Sequence, residues 1–157
     1  MPSVEEAEAH LRRSVQTYET LKDNNAAPAV IRTAECAIFG AEETVTLARA
    51  QANGSLADMI ECYRHAEVQG LRIGDAILIG WPGEIFVEYA LELKKAAARK
   101  AFVVSLVNGD SQGYIVTEEA AAGGGYEAMN SLFEAAAGEC LVNAGVALCR
   151  RLAALEE

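Results

Sequence analysis

The residues whose types and spacing could do chemistry lie between positions 79 and 126, and three stand out: Glu84, Tyr114 and Tyr126. Two continuous apolar runs, residues 76–80 and 101–107, flank a stretch from about Glu84 to Ala98 whose inward positions Ile85, Tyr89, Leu93 and Ala96 recur at helical spacing. Strand, helix, strand in that order gives parallel strands. Ligands of open α/β sheets bind at the carboxyl ends of the strands. The loops there are residues 80–84 and 108–114, so Glu84 and Tyr114 are expected at one edge. A carboxylate in the first turn of a helix complements the helix dipole. It also serves as a general base or metal ligand, since carboxylate oxygen is an ordinary zinc ligand and a catalytic zinc keeps one position open for water. Tyr114 follows a glycine in a polar loop and Tyr126 follows three glycines; each reads either as packing with a free hydroxyl or as a site residue.

Other chemistries find little in this chain. The two histidines are His10, in a helix with a structural pattern, and His65, in an irregular region, so no catalytic triad is indicated. Ser105 falls inside a run that reads as a buried strand. Gly123-Gly124-Gly125 lacks the lysine and hydroxyl of a phosphate loop. Cys36, Cys62, Cys140 and Cys149 form no C-x-x-C pair and read as buried free thiols, with Cys140 and Cys149 on opposite faces of a helix. A net charge of −10 supplies no basic patch for nucleic acid and no attraction to anionic membranes. The charged N-terminus is unlike a signal peptide, and no apolar run approaches the roughly 20 residues of a membrane span. A cytoplasmic location is the default expectation.

The elements that must position these residues can also be read. With 157 residues, 52% of them hydrophobic, the chain is expected to be one α/β domain with one core. Ser3 and Glu6 form a capping box, and Val4, Ala7, Leu11, Val15, Tyr18 and Leu21 make the stripe of the helix that follows. After Asn24-Asn25 a second helix starts near Pro28, with Ile31, Ala34, Ile38, Ala41, Val45 and Ala48 on one face and Asn53-Gly54 at its end. Residues 1–54 are thus an antiparallel helical hairpin. Residues 55–157 are the α/β part, a small mixed sheet flanked by helices. In it Cys62, Val68, Leu71 and Ile73 suit strands without clean alternation, and Gly74-Asp75 is a hairpin turn. Tyr114–Val116 is a short strand and Thr117 starts a small helix. A final helix runs from Asn130 or Phe133 to Leu155.

Leu71-Arg72-Ile73-Gly74-Asp75, Ile79-Gly80-Trp81-Pro82-Gly83-Glu84, Leu106-Val107-Asn108, Gly113-Tyr114-Ile115-Val116-Thr117-Glu118-Glu119 and Tyr126-Glu127 together resemble the C-terminal part of the catalytic domain of the neutral/alkaline, non-lysosomal ceramidases. The resemblance covers residues 68–148. It implies a zinc-dependent amide hydrolase of lipid metabolism that splits N-acyl sphingosine or a related amide. It also implies Glu84 and Tyr114 as zinc ligands and Tyr126 as the group that polarises the scissile carbonyl. The family's remaining ligands are histidines in motifs far upstream, beside a catalytic arginine, and nothing here matches them. Residues 3–52 resemble the variable stretch before that region, so the resemblance implies the tail of a longer, split or truncated protein. The expectation is a partial site, inactive alone, that needs a missing N-terminal half or self-association to at least a dimer. The alternative is a non-catalytic module that oligomerises through its helices.

Overall fold

Ser3 and Glu6 close the capping box that starts α1 (Val4–Asp23). In the computed structural model the Glu6 backbone N–H donates to Ser3 Oγ at 3.3 Å, and the Glu6 carboxylate accepts from the Ser3 backbone N–H at 2.8 Å and from its hydroxyl at 2.7 Å. Those bonds hold the Glu6 carboxyl below the usual carboxylate range. The structure describes residues 1–61, 65–97, 100–109, 111 and 113–155. It divides into two units, Met1–Cys62 and Tyr63–Glu157.

In the first unit α2 (Pro28–Asn53) opens on its proline, and α3 (Leu56–Glu61), absent from the sequence reading, follows. Ala7 near the start of α1 packs on Val45 and Ala48 near the end of α2, with Val4 and Leu11 alongside, so the pair is antiparallel as expected. Small side chains let the two backbones approach. An exposed Arg49–Glu8 ion pair at 2.6 Å spans the same end and adds little.

The second unit is a mixed arrangement of sheet and helix. Strand β1 (Gln69–Ile73) pairs antiparallel with β2 (Ala76–Gly80), and β2 pairs parallel with β4 (Lys100–Val104) in the order β1-β2-β4. Between β2 and β4 lie β3 (Glu84–Ile85) and α4 (Val87–Ala96); β5 (Tyr114–Ile115), α5 (Glu118–Gly123), α6 (Tyr126–Met129) and α7 (Ala136–Ala153) complete the chain. The parallel crossover is the one expected. Helices α4 and α7 cover one sheet face, where Ile77, Ile79, Trp81, Tyr89, Leu93, Leu141, Val146 and Cys149 form the core. Tyr89 locks the two helices together. Its hydroxyl donates to the Val116 and Ala135 carbonyls, 3.1 and 3.0 Å away, and its ring lies so close to Gly138 that a methyl there would sit 2.1 Å from Cζ. No helix among the described residues is long and apolar enough to cross a membrane.

Several details differ from the sequence reading. The helix expected from Glu84 begins at Val87, because Glu84 and Ile85 pair as strand with Tyr114 and Ile115 and the Phe86 N–H donates to the Ile115 carbonyl. Strand β1 does alternate, and Cys62, grouped with it, lies outside the described residues. The apolar runs are not buried on both sides: Phe102 and Val104 are 48% and 39% exposed, because α4 and α7 pack on the opposite face of the sheet. Cys140 is exposed rather than buried, on the face of α7 opposite buried Cys149, whose thiol burial pushes up.

Candidate functional site

The loops after β2 and β4 are joined by backbone hydrogen bonds. The Trp81 N–H donates to the Val104 carbonyl at 2.9 Å, the Val107 N–H to Trp81 at 3.2 Å, and the Leu106 N–H to Gly83 at 3.2 Å. This zip carries the chain from fully buried Trp81 out to exposed Glu84. There β3 and β5 form a two-residue parallel bridge with Glu84 opposite Tyr114 and Ile85 opposite Ile115. Opposite residues in a bridge point to the same side, so the expected convergence of Glu84 and Tyr114 is met, through a strand pair rather than a helix start. The reading of Glu84 as a helix-dipole carboxylate falls away; Glu88 holds that position in α4.

Asn130 holds the tyrosines. Its carbonyl accepts the Tyr114 N–H at 3.1 Å, while its own N–H and side-chain amide donate to the Tyr126 carbonyl at 3.1 and 2.8 Å. One residue thereby fixes the backbone at both aromatic positions, and the rings meet edge to face, with centroids 5.7 Å apart and planes at 69°. Sequence reasoning missed this role; an asparagine four residues after Tyr126, ending the short α6, is the signal that carried it.

The Glu84 carboxylate, opposite Tyr114 in the bridge, pushes that phenol up to about 12, and burial and the charges of Glu84, Tyr126 and Glu127 act the same way. Tyr114 therefore keeps its proton at neutral pH. The sign follows from the raised value: this stabilisation is complete below the unfolded tyrosine's value of about 10 and is lost as pH rises through about 12.

A cleft of about 480 Å³ opens beside the pair, lined by Glu84, Ile85, Phe86, Val87, Glu88, Ser105, Leu106, Tyr114 and Glu127. Ser105 lies past the end of β4, exposed, and not inside a buried strand. Leu106 is 62% exposed with φ of 57°, a left-handed conformation that costs a bulky residue about 1 kcal/mol. His10 and His65 are exposed and neither lines the cleft. Among the described residues no group of three or more histidine, cysteine, aspartate or glutamate side chains could hold a metal. Glu84 and Tyr114 present two oxygen donors, whereas a catalytic zinc takes three protein ligands. No family model matches the chain, and searches of curated proteins and of solved structures also return no match.

Proposed function

We propose that this cleft is the carboxylate and phenol half of a zinc-dependent amide hydrolase site of the neutral ceramidase type, inactive in this chain alone. The observation that carries the reading is the bridge register, Glu84 opposite Tyr114, with the Tyr126 ring edge to face against Tyr114. In this reading Glu84 and Tyr114 are metal ligands. The Tyr126 hydroxyl donates toward the oxygen on which negative charge develops, the usual use of a fixed donor in acyl transfer. Histidine ligands come from another segment or another polypeptide, and with only two ligands present no metal-dependent step is assigned to this chain. The test is zinc affinity by chelator competition together with amide hydrolysis. The expected result is weak zinc binding, a further loss of about tenfold or more in Glu84→Ala, and no hydrolysis. Tight stoichiometric zinc would contradict the incomplete site, and binding indifferent to Glu84→Ala would contradict the ligand assignment.

Association is the second reading, favoured by the uncovered sheet face. Leu71, Ile73, Phe102 and Val104 are 57%, 61%, 48% and 39% exposed and share one face by register, with no carboxylate among them. Apolar patches of this kind mark interfaces. Self-association to at least a dimer is better supported there than through the helical hairpin named in the alternative.

A further inference from the structure

We propose that Asn53-Gly54, at the end of α2, is a self-modification site at which asparagine is converted to aspartate and isoaspartate, in preference to the chain's other asparagine-glycine pair, Asn108-Gly109. The inference lies outside the amidase reading and depends on no metal or bound ligand.

The chemistry needs only the chain and water. The Gly54 nitrogen gives up its proton to hydroxide and attacks Asn53 Cγ. Nδ2 leaves as ammonia, and a five-membered succinimide closes. Water then opens the ring at one of its two carbonyls. Breaking the bond from nitrogen to Cγ leaves aspartate. Breaking the bond from nitrogen to the main-chain carbonyl leaves isoaspartate, with the backbone rerouted through the side chain. The sum is asparagine plus water giving aspartate or isoaspartate plus ammonia. Both reacting groups sit on adjacent residues, so the step is intramolecular, and glycine places no Cβ in the way of the ring.

The end of α2 favours this step in three ways. The Ser55 N–H donates to Asn53 Oδ1 at 2.9 Å. That oxygen takes up negative charge as the nitrogen adds, so a donor already in place stabilises the charge. The attacking nitrogen is loosely held, because the Gly54 N–H reaches only the Gln51 carbonyl, at 3.3 Å, in the last turn of the helix, where fraying costs least. Asn53 and Gly54 are also exposed, and a methyl on Gly54 would meet nothing within 4 Å, so hydroxide and water have open access. Asn108 is placed differently. It is half-buried, and its amide nitrogen, the leaving group, donates to the Glu67 carbonyl at 3.3 Å. A methyl on Gly109 would lie 3.7 Å from Pro82 Cβ. The product at Asn53 puts a carboxylate at the C-terminal end of α2, where the helix dipole disfavours an anion.

The test holds the full chain at mildly alkaline pH and samples it by peptide mapping with mass spectrometry, which reads the gain from replacing an amide nitrogen by oxygen and separates isoaspartate from aspartate. The expected result is conversion at Asn53 at least about fivefold faster than at Asn108, a small part of what a fixed oxyanion donor supplies in an enzyme. Both products should form at Asn53, at a rate that rises in proportion to hydroxide. In guanidinium chloride the preference should fall below about twofold, because the unfolded chain holds neither the Ser55 bond nor the Glu67 bond. Asn53→Gln should abolish the modification there and leave Asn108 unaltered. Faster or equal conversion at Asn108, a preference that survives denaturation, or aspartate without isoaspartate would each overturn the proposal.

Discussion

Alanine at Gly138 should destabilise the α/β unit by about 3 kcal/mol, the upper end of overpacking costs. The added methyl would lie 2.1 Å from Tyr89 Cζ and 2.3 Å from Cε2, well inside contact distance. An exposed ring would simply swing aside. This one is buried, and its hydroxyl is tied to the Val116 and Ala135 carbonyls. Moving it gives up the hydrogen bond its one hydroxyl proton shares between those carbonyls, and holding it pushes α7 off α4. Urea denaturation of Gly138→Ala should therefore show a lower midpoint with little change in slope. In a Tyr89→Leu background the obstacle is gone, and the same substitution should cost less than about 1 kcal/mol, a coupling that a double-mutant cycle reads directly. Additive costs in that cycle would mean that Tyr89 is not what makes glycine necessary.

Alanine at Gly113 should have the second large effect, and this one reaches the site. Gly113 has φ of 81°, a conformation that suits glycine, and an added methyl would lie 2.4 Å from the Asn130 carbonyl oxygen. That oxygen accepts the Tyr114 N–H, so the obstruction falls on the hydrogen bond that seats Tyr114. Strain and obstruction together should cost about 2–4 kcal/mol. The folded fraction should also lose the edge-to-face contact with Tyr126, visible as collapse of the ring-current shifts of both tyrosines. Asn130→Ala removes only the side-chain bond to Tyr126, keeps the carbonyl, and should cost about 1 kcal/mol. A Gly113→Ala protein with unchanged tyrosine shifts would show that Tyr114 is seated by something other than this contact.

Much of the scaffold could be read from local signals. The capping box at Ser3 and Glu6, Pro28 at the head of α2 and the stripes of α1 and α2 are each complete within a few residues of sequence. The crossover was legible because two apolar runs flank a helical period. The site itself was legible only as a place. Strand β3 is two residues long and exists because Tyr114 and Ile115 lie beside it, so nothing near Glu84 announces a strand and the helical period of Ile85, Tyr89 and Leu93 extends through it. Asn130 reaches Tyr126 at a local four-residue spacing, but its main-chain bond to Tyr114 joins a distant strand, which no spacing encodes. The exposed sheet face was hidden for a different reason. On β4, Phe102 and Val104 are as apolar as Ala101 and Val103, which alternate with them, so pattern alone reports a strand buried on both sides.

The central claim is that the β3–β5 bridge sets the Glu84 carboxylate against the Tyr114 hydroxyl. Its most direct test is the titration of Tyr114, followed by the NMR shift of its Cζ carbon in the wild type and in Glu84→Gln. The structure predicts a value of about 12 in the wild type, with Glu84 as the largest cause, and a fall toward the ordinary tyrosine value of about 10 in the variant. A wild-type Tyr114 that titrates near 10, or a raised value unchanged by Glu84→Gln, would contradict it.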